Sequence, residues 1–213
     1  MFNGAEVILK DGDALLLVDI QNDFLPNGKL GIPLSDRILP VVSKWIRKFW
    51  AEGLPIVATR DWHPDNHCSF QEFGGDWVPH CIAETNGAKL HQSIRYLETT
   101  LKIHIERFDK GTEYDKDSYS GFNVQSVDPY GEDAMSDLDE WLMEKGVERL
   151  IVVGLATDYC VLHTVKDALL FGNMGDGYKV IVDAQGIDGV GINLEDIPNA
   201  LGEMIYCGGA VIQ

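Results

Sequence analysis

One cysteine, Cys160, lies where a strand is predicted to pass into a helix. Residues 150–153 form a short apolar run, Gly154 ends it, and apolar residues recur at helical spacing after position 160. The first turn of a helix offers unpaired N–H groups and partial positive charge, which favour a thiolate and could hold an oxyanion. Cys160 is therefore a candidate nucleophile, and the alternative is a small buried hydrophobic residue.

A second group of residues has the composition of a metal site. Asp61-x-His63 is followed by His67 and then by His80. Alternate positions of an extended segment point to the same side, so Asp61 and His63 would face together, and a loop residue could close the site. Two imidazoles and one carboxylate suit zinc, iron or manganese and leave positions open for water or substrate. The alternative is a set of surface histidines in a loop. The remaining histidines are interpreted as structural: His91, His104 and His163.

Four chemically reactive side chains follow predicted strands. Asp19, Asp61, Lys110 and Cys160 each lie just past the carboxyl end of one strand or of its extension. Open parallel sheets bind ligands outside the carboxyl ends of their strands. We therefore expect these residues to share one edge of the sheet, although the strand order that would bring them together is not given by the sequence.

The elements that would position these residues alternate between strand and helix. Strands are predicted at residues 14–18, 55–59, 101–106, 150–153, 178–182 and 210–212. Helices are predicted at 35–53, 136–145, after Cys160 and at 194–206, with a long irregular stretch over 62–92 and a polar loop over 111–133. This alternation predicts an α/β fold, a three-layer α/β/α sandwich around a mostly parallel sheet.

Composition narrows the class of partner. The chain has 213 residues, for which we expect a single domain over 1–213, and its net charge of -17 argues against nucleic acid or an anionic membrane as a partner. No apolar run approaches the roughly 20 residues of a membrane span, and no secretory signal pattern is found at the start. The four cysteines show no C-x-x-C pairing. We therefore expect a reducing, cytoplasmic location.

Five stretches together resemble the nicotinamidase (pyrazinamidase) branch of the isochorismatase-like cysteine hydrolases. They are LLLVDIQNDFLPNGKLGIP, VATRDWHPDNHCSF, DWVPHCIAETNGAKLH, FDKGTEYDKDSYSGF and VVGLATDYCVLHTVKDAL, in the order of the family. DWHP-x-x-H-x-SF and the later W-x-P-H-C are specific to its metal-bearing branch. The resemblance implies the isochorismatase-like hydrolase fold and the deamidation of nicotinamide to nicotinate, as in NAD salvage. It also implies activity on pyrazinamide and a cysteine thioester intermediate.

The resemblance also implies roles for individual residues. Cys160 resembles the nucleophile, Asp19 the base that takes its proton and Lys110 the third member of the triad. The implied metal ligands are Asp61, His63 and His80, holding one divalent ion, first Zn²⁺, with Fe²⁺ or Mn²⁺ as alternatives, against which the pyridine nitrogen lies. His67 occupies the middle of the motif, where a nearby residue is a further ligand in some members and water is the ligand in others. The Leu155–Ala156 bond resembles the family's cis peptide, and the N–H groups of Ala156 and Cys160 its oxyanion hole. The implied pocket walls are Phe24, Trp77, Ala156 and Tyr159.

Several alternatives remain open from the sequence. The site could act on another small amide, such as a carbamoyl or ureido compound, or it could bind nicotinamide without turnover. A metal-bound water could attack in place of the thiol, or Cys160 could be a redox sensor. The loop from Lys110 to Tyr119 is longer than in many relatives, and residues 173–198 are only loosely similar. This second departure leaves the oligomeric state open, with a homo-oligomer as one option.

Overall fold

Six parallel strands form the centre of the molecule. The computed structural model describes residues 7–122, 136–170 and 172–212. Its strands are β1 (Asp13–Val18), β2 (Ile56–Asp61), β3 (Glu106–Lys110), β4 (Arg149–Leu155), β5 (Lys179–Asp188) and β6 (Ala210–Ile212). Their order is β3-β2-β1-β4-β5-β6, and every neighbouring pair is parallel. The predicted α/β fold with a mostly parallel sheet is confirmed.

Helices cover both faces of the sheet. They are α1 (Leu39–Ala51), α2 (Gln92–Leu101), α3 (Asp137–Glu144), α4 (Leu162–Leu170) and α5 (Asp196–Tyr206). The first two bury their apolar sides in one hydrophobic cluster, and the last three bury theirs in a second cluster. The layers are thus helix, sheet and helix. Within the described residues, no helix has the length and apolar character needed to cross a membrane.

The strand β1 lies at the middle of both clusters. All six of its residues are buried. Leu15 and Leu17 pack into one cluster, whereas Ala14, Leu16 and Val18 pack into the other, because successive side chains of a strand point to opposite faces. The continuous apolar sequence of this strand follows from its burial on both sides.

The close approach of β4 to β1 requires a glycine. Gly154 pairs with Val18 and has φ of +140°, and a Cβ atom at this position would lie 2.0 Å from the Val18 carbonyl oxygen. No other residue fits such a contact without displacing the backbone. The glycine therefore brings the segment that leads to Cys160 directly beside the segment that leads to Asp19.

The predicted third strand is wrong in its position. Residues 101–106 were expected to be extended, but α2 ends at Leu101 and Lys102 follows it in a left-handed conformation with φ of 56°. Ile103 and Ile105 are buried and alternate, which gives the strand-like pattern, yet the paired strand β3 begins only at Glu106. The sequence analysis also missed α2, whose buried Ile94 and Leu97 have helical spacing.

Other bounds differ by smaller amounts. The predicted helix over 35–53 begins with a 3-10 turn, Ser35–Ile38, before α1 starts at Leu39. The strand β5 continues to Asp188, well past the predicted 178–182, with an irregular register against β4. The turn Thr157–Val161, which contains Cys160, is a π-helical turn that leads into α4. Part of the predicted loop over 111–133 lies outside the described residues.

The burial of β1 yields a testable prediction for stability. Leu16 is 0% exposed, so Leu16→Ala should lower the free energy of unfolding by about 2–5 kcal/mol, through lost burial and the cavity left behind. The measurement is urea unfolding. Leu194 is 96% exposed, and Leu194→Ala should change the free energy by no more than about 0.5 kcal/mol. Equal losses in the two variants would contradict the central position of β1.

Candidate active site

A buried lysine lies between two carboxylates and a thiol at the carboxyl edge of the sheet. Lys110 ends β3, and its Nζ lies 3.0 Å from Asp19 Oδ2 and 3.4 Å from Cys160 Sγ. It also donates a hydrogen bond to Asp61 Oδ1. All four side chains are buried. The strand order places β3, β2, β1 and β4 side by side, so the residues at their ends converge as expected.

The carboxylate of Asp19 is tied to two neighbours. Thr59 in β2 donates its hydroxyl to Asp19 Oδ1 at 2.8 Å, and the other oxygen faces Lys110. Burial raises the pKa of Asp19, while the charge of Lys110 opposes this rise. Asp19 directly follows β1 in a left-handed conformation with φ of 47°, which turns the chain away from the sheet. A carboxylate with a raised pKa next to a thiol can accept and return a proton.

The thiol of Cys160 differs from the sequence expectation in one respect. A helix start was expected to favour the thiolate, but burial raises the pKa of Cys160 well above its usual value. The charge of Lys110 lowers this pKa, and the carboxylates of Asp19 and Asp61 raise it further. Cys160 therefore rests as a thiol, and its activation requires a base, for which Asp19 is in place: ligand atoms of Asp19, Asp61 and Cys160 lie within 4.8 Å of one another.

Asp61 joins this group to two histidines. One of its oxygens pairs with Lys110, and the other faces His63 Nε2 at 3.6 Å and His80 Nε2 at 3.9 Å. Burial raises the pKa of Asp61, but the charge of Lys110 and the two neighbouring histidines together outweigh it, and the net shift is downward. Asp61 is thus held as a carboxylate whose free oxygen points to the two imidazoles.

Main-chain carbonyls orient the imidazoles of His63 and His80. His63 Nδ1 contacts the Gly111 carbonyl at 2.8 Å, and His80 Nδ1 contacts the Val78 carbonyl at 2.8 Å. A carbonyl can only accept, so each Nδ1 carries a proton, and in the neutral form of each ring Nε2 is the nitrogen that has the lone pair. Gly111 has φ of +62°, and a Cβ there would lie 2.4 Å from His63 Cε1. Candidate ligand atoms of Asp61, His63 and His80 lie within 4.8 Å of one another, so these residues could hold a metal ion.

The remaining histidines do not enter this cluster. His67 stacks on His63 with ring centroids 4.1 Å apart, but its Nδ1 contacts Ser69 Oγ at 2.7 Å and its Nε2 contacts the Lys116 carbonyl at 3.0 Å. Because both ring nitrogens of His67 have other partners, His67 supports the cluster only by stacking on His63. His91 caps α2, His104 lies beside Glu106 on the surface, and the ring of His163 packs against Tyr119.

A cleft with aromatic walls opens above the thiol and the histidines. All four predicted wall residues line it: Phe24, Trp77, Ala156 and Tyr159. The structure adds Tyr119, whose hydroxyl accepts a hydrogen bond from Trp77 Nε1 at 3.0 Å and whose ring lies 5.5 Å from that of Tyr159. The Leu155–Ala156 peptide is cis. Such a cleft suits a flat aromatic ligand.

Sequence reasoning missed the residues that hold these groups in place. Thr59 carried a usable signal, because Thr59, Asp61 and His63 alternate and so share one side of an extended segment. The carbonyls of Gly111 and Val78 carried none, because a main-chain acceptor at a loop position depends on the loop's path. Tyr119 stands in a polar loop with no periodic pattern to place it.

The fold and this site define a class of α/β proteins with a buried cysteine–lysine–aspartate group next to a candidate metal site. The family model for the Isochorismatase domain matches residues 13–213. The nicotinamidase of Escherichia coli (strain K12) is 37% identical over 210 residues, which cover 92% of this chain and 92% of that protein. The chain belongs to the isochorismatase family.

Solved structures agree with this assignment. The pyrazinamidase of Pyrococcus horikoshii in complex with zinc is 38% identical with a TM-score of 0.77, over 95% of this chain and 99% of that one. PnC1 from L. infantum in complex with nicotinate is 29% identical with a TM-score of 0.79, over 97% of this chain and 96% of that one. Both similarities extend over nearly the whole of each chain, so they include the site as well as the sheet.

The buried lysine yields a prediction for stability and its pH dependence. Lys110→Met leaves two buried carboxylates without their cation and should lower the free energy of unfolding by about 3–5 kcal/mol at pH 8. The loss should be smaller at pH 5. In the variant the pKa of Asp19 rises further above its unfolded value, so the folded state binds a proton that the unfolded state does not, and stability falls as pH rises.

The measurement is urea unfolding at both pH values. Lys116 pairs with Glu113 on the surface, so Lys116→Met is the matched control and should leave stability unchanged at either pH. A Lys110→Met variant as stable as the unaltered protein at pH 8 would show that the lysine does not hold the carboxylates together.

Proposed function

We propose that this protein is a nicotinamidase that hydrolyses nicotinamide to nicotinate and ammonia, and that also accepts pyrazinamide. The observation that carries the proposal is the position of Cys160 and Lys110 beside Asp19 under a cleft with aromatic walls. A thiol, a proton acceptor and a cation at one point are the parts needed for acyl transfer from an amide. The similarity to nicotinamidases over nearly the whole chain supports the choice of amide.

Asp19 starts the reaction by accepting the proton of the Cys160 thiol. Lys110 contacts both groups and stabilises their negative charge. The thiolate forms a bond to the amide carbon, and the carbonyl electron pair moves to oxygen, where the N–H groups of Ala156 and Cys160 hold it. The carbonyl then re-forms as the carbon–nitrogen bond breaks. Asp19 returns its proton to the leaving ammonia, and a thioester remains on Cys160.

The second half of the reaction uses the same residues. Asp19, again a carboxylate, accepts a proton from a water that attacks the thioester carbon. The carbon–sulfur bond breaks, Asp19 returns its proton to Cys160, and the acid product loses its own proton to solvent and leaves as nicotinate. Lys110 has the same role in both steps, because each step places negative charge on Asp19 or Cys160, which its ammonium group contacts. One aspartate thus serves as base and acid in turn.

Asp61, His63 and His80 are the proposed ligands of one divalent metal ion. Two neutral imidazoles and a carboxylate fit Zn²⁺ first, and Fe²⁺ or Mn²⁺ as alternatives. The contacts of both histidines support this assignment, because each Nδ1 is taken by a carbonyl and each Nε2, on the side of the free Asp61 oxygen, is left to bind an ion. When bound, the ion would supply a Lewis acid that holds the ring nitrogen of the substrate. His67 is not proposed as a ligand, because both of its nitrogens have other partners.

The walls of the cleft orient the ring. Phe24, Trp77 and Tyr159 offer apolar surface to a flat pyridine or pyrazine, and Tyr119 fixes Trp77 through its hydrogen bond. Holding the ring fixes the carboxamide over Cys160, and such orientation can lower a barrier by several kcal/mol, up to about 11 at best. Ala156 is proposed to line the cleft and to donate its N–H to the oxyanion.

The cellular setting and assembly belong to the same proposal. Cys68, Cys81, Cys160 and Cys207 are all free thiols, which supports a reducing, cytoplasmic location. The partner is the small-molecule substrate. The net charge of -17 disfavours nucleic acid or an anionic membrane as a partner. Whether copies of the chain assemble is a matter for sedimentation measurements.

Cys160→Ala should abolish ammonia release from nicotinamide. Loss of a nucleophile that acts in a covalent route should lower kcat/KM by at least about a thousandfold. The measurement is steady-state ammonia release by the purified protein, with Cys207→Ala as the control because Cys207 is a free thiol outside the cleft. A Cys160→Ala variant that keeps most of its activity would favour direct attack by metal-bound water and overturn the thioester route.

The same assay separates the remaining alternatives. An unaltered protein that releases ammonia faster from a carbamoyl or ureido compound than from nicotinamide would reassign the substrate within the same chemistry. Thermal stabilisation by nicotinamide without turnover would indicate a binding protein. Rapid formation of a sulfenic acid on Cys160, with no amide turnover, would indicate a redox sensor.

Removal of the metal should impair substrate binding more than it impairs the thiol chemistry. After dialysis against a strong chelator, we expect KM for nicotinamide to rise at least about tenfold, because the ring loses one of its anchors. Adding one equivalent of Zn²⁺ should restore the original value. Benzamide, which has no ring nitrogen, is the matched substrate, and its slower turnover should respond less to the chelator. Equal responses of the two amides would contradict an anchor for the ring nitrogen.

A further inference from the structure

The segment directly after β1 carries two buried polar side chains that have no part in the proposed reaction. They are Gln21, which is fully buried, and Asp23, which is 7% exposed. Both side chains bind main-chain groups at or beside candidate metal ligands: Gln21 binds Asp61, and Asp23 binds Cys81, which follows His80. Buried polar groups are retained only where their hydrogen bonds are satisfied, so the question is what these bonds hold in place.

Gln21 binds both main-chain groups of Asp61. Its Oε1 accepts a hydrogen bond from the Asp61 N–H at 2.8 Å, and its Nε2 donates to the Asp61 carbonyl at 2.7 Å. The second hydrogen of Nε2 is donated to the Ala88 carbonyl at 2.8 Å. An N–H only donates and a carbonyl only accepts, so these contacts fix the orientation of the amide. Asp61 ends β2, and Gln21 takes the place of a neighbouring strand at that position.

Asp23 fixes the turn that follows His80. Its Oδ2 accepts a hydrogen bond from the Cys81 N–H at 2.8 Å, and its Oδ1 accepts one from the Lys29 N–H at 3.2 Å. The Cys81 carbonyl in turn accepts the His63 N–H at 3.0 Å. Asp23 therefore holds Cys81 in place. Cys81 directly follows the candidate ligand His80, and its carbonyl binds the main chain of the candidate ligand His63.

We propose that Gln21 and Asp23 are positioning residues for the metal ion. Gln21 sets the position of Asp61, and Asp23 sets the positions of His63 and His80. The inference rests on the proposed metal site. Metal ligands must be held within about 0.5 Å of their working geometry. Mutation of the groups that hold the ligand residues in place typically lowers metal affinity by about 10–100-fold. The loop that begins with Asp19 thus organises the metal ligands as well as the base.

The test is the zinc affinity of the 213-residue chain, measured by competition with a chromogenic zinc chelator. Gln21→Met keeps the length and neutrality of the side chain and removes all three hydrogen bonds. Asp23→Asn keeps the shape of the side chain but replaces one acceptor oxygen with an NH2 donor. Only one of the two N–H groups, that of Cys81 or that of Lys29, can then keep its acceptor. We expect the dissociation constant for zinc to rise about 10–100-fold in each variant.

Two controls separate positioning from general effects. Tyr178→Phe removes a buried hydrogen bond, from the Tyr178 hydroxyl to Asp139 Oδ1 at 2.6 Å, at the start of β5 and so at the opposite edge of the sheet. It should lower the unfolding temperature of the metal-free protein yet leave zinc affinity within about twofold. Asp65→Asn removes the same charge as Asp23→Asn from an exposed position two residues after His63, and it should also bind zinc normally.

Each outcome is decisive. The inference is overturned if Gln21→Met and Asp23→Asn bind zinc as tightly as the unaltered protein, or if Tyr178→Phe or Asp65→Asn loses as much affinity as they do. If Gln21→Met does not fold, Asp23→Asn against Asp65→Asn decides alone. An unaltered protein that binds no zinc would overturn the metal site itself, a result distinct from unchanged affinity in the variants.

Discussion

The structure depends on one buried cation. Lys110 is 2% exposed, and burying an ammonium ion is costly unless opposite charges surround it. Asp19 and Asp61 supply those charges from the two neighbouring strand ends. Burial alone would lower the pKa of Lys110, but the two carboxylates outweigh it and hold the lysine charged. Three strand ends are therefore tied by charge, and the thiol of Cys160 lies within reach of the same ammonium group.

Asp61 connects the buried lysine to the candidate metal ligands. One carboxylate cannot turn freely when one oxygen binds a lysine and the other faces two imidazoles, so the nucleophile and the candidate metal ligands share a fixed geometry. The histidines are in turn set by backbone carbonyls of Gly111 and Val78. The substrate's ring and its carboxamide would thus be held by groups whose spacing is fixed by the sheet itself.

The parallel sheet explains why so irregular a stretch as 62–92 can form a site. The loop has little periodic structure of its own, yet it leaves from β2 at the carboxyl edge and is bound by the segment after β1. A loop that is bonded to two strand ends over much of its length has few alternative paths. Function and fold therefore depend on the same short segments that follow β1 and β2.

The sequence by itself determined the α/β class, the strands that lead to Asp19, Asp61 and Cys160 and, through the resemblance, the candidate residues of the site. These are local or family patterns, written in apolar runs and short motifs. It misplaced β3, because Ile103 and Ile105 alternate and are buried although they lie before the paired strand. It also missed α2, whose apolar spacing consists of the buried Ile94 and Leu97. Only the tertiary structure decided that His67 is engaged by Ser69 and Lys116, that burial keeps Cys160 a thiol, and that Gln21 holds Asp61. Those outcomes depend on contacts between residues that are far apart in the sequence, and the sequence pattern around each residue does not specify such contacts.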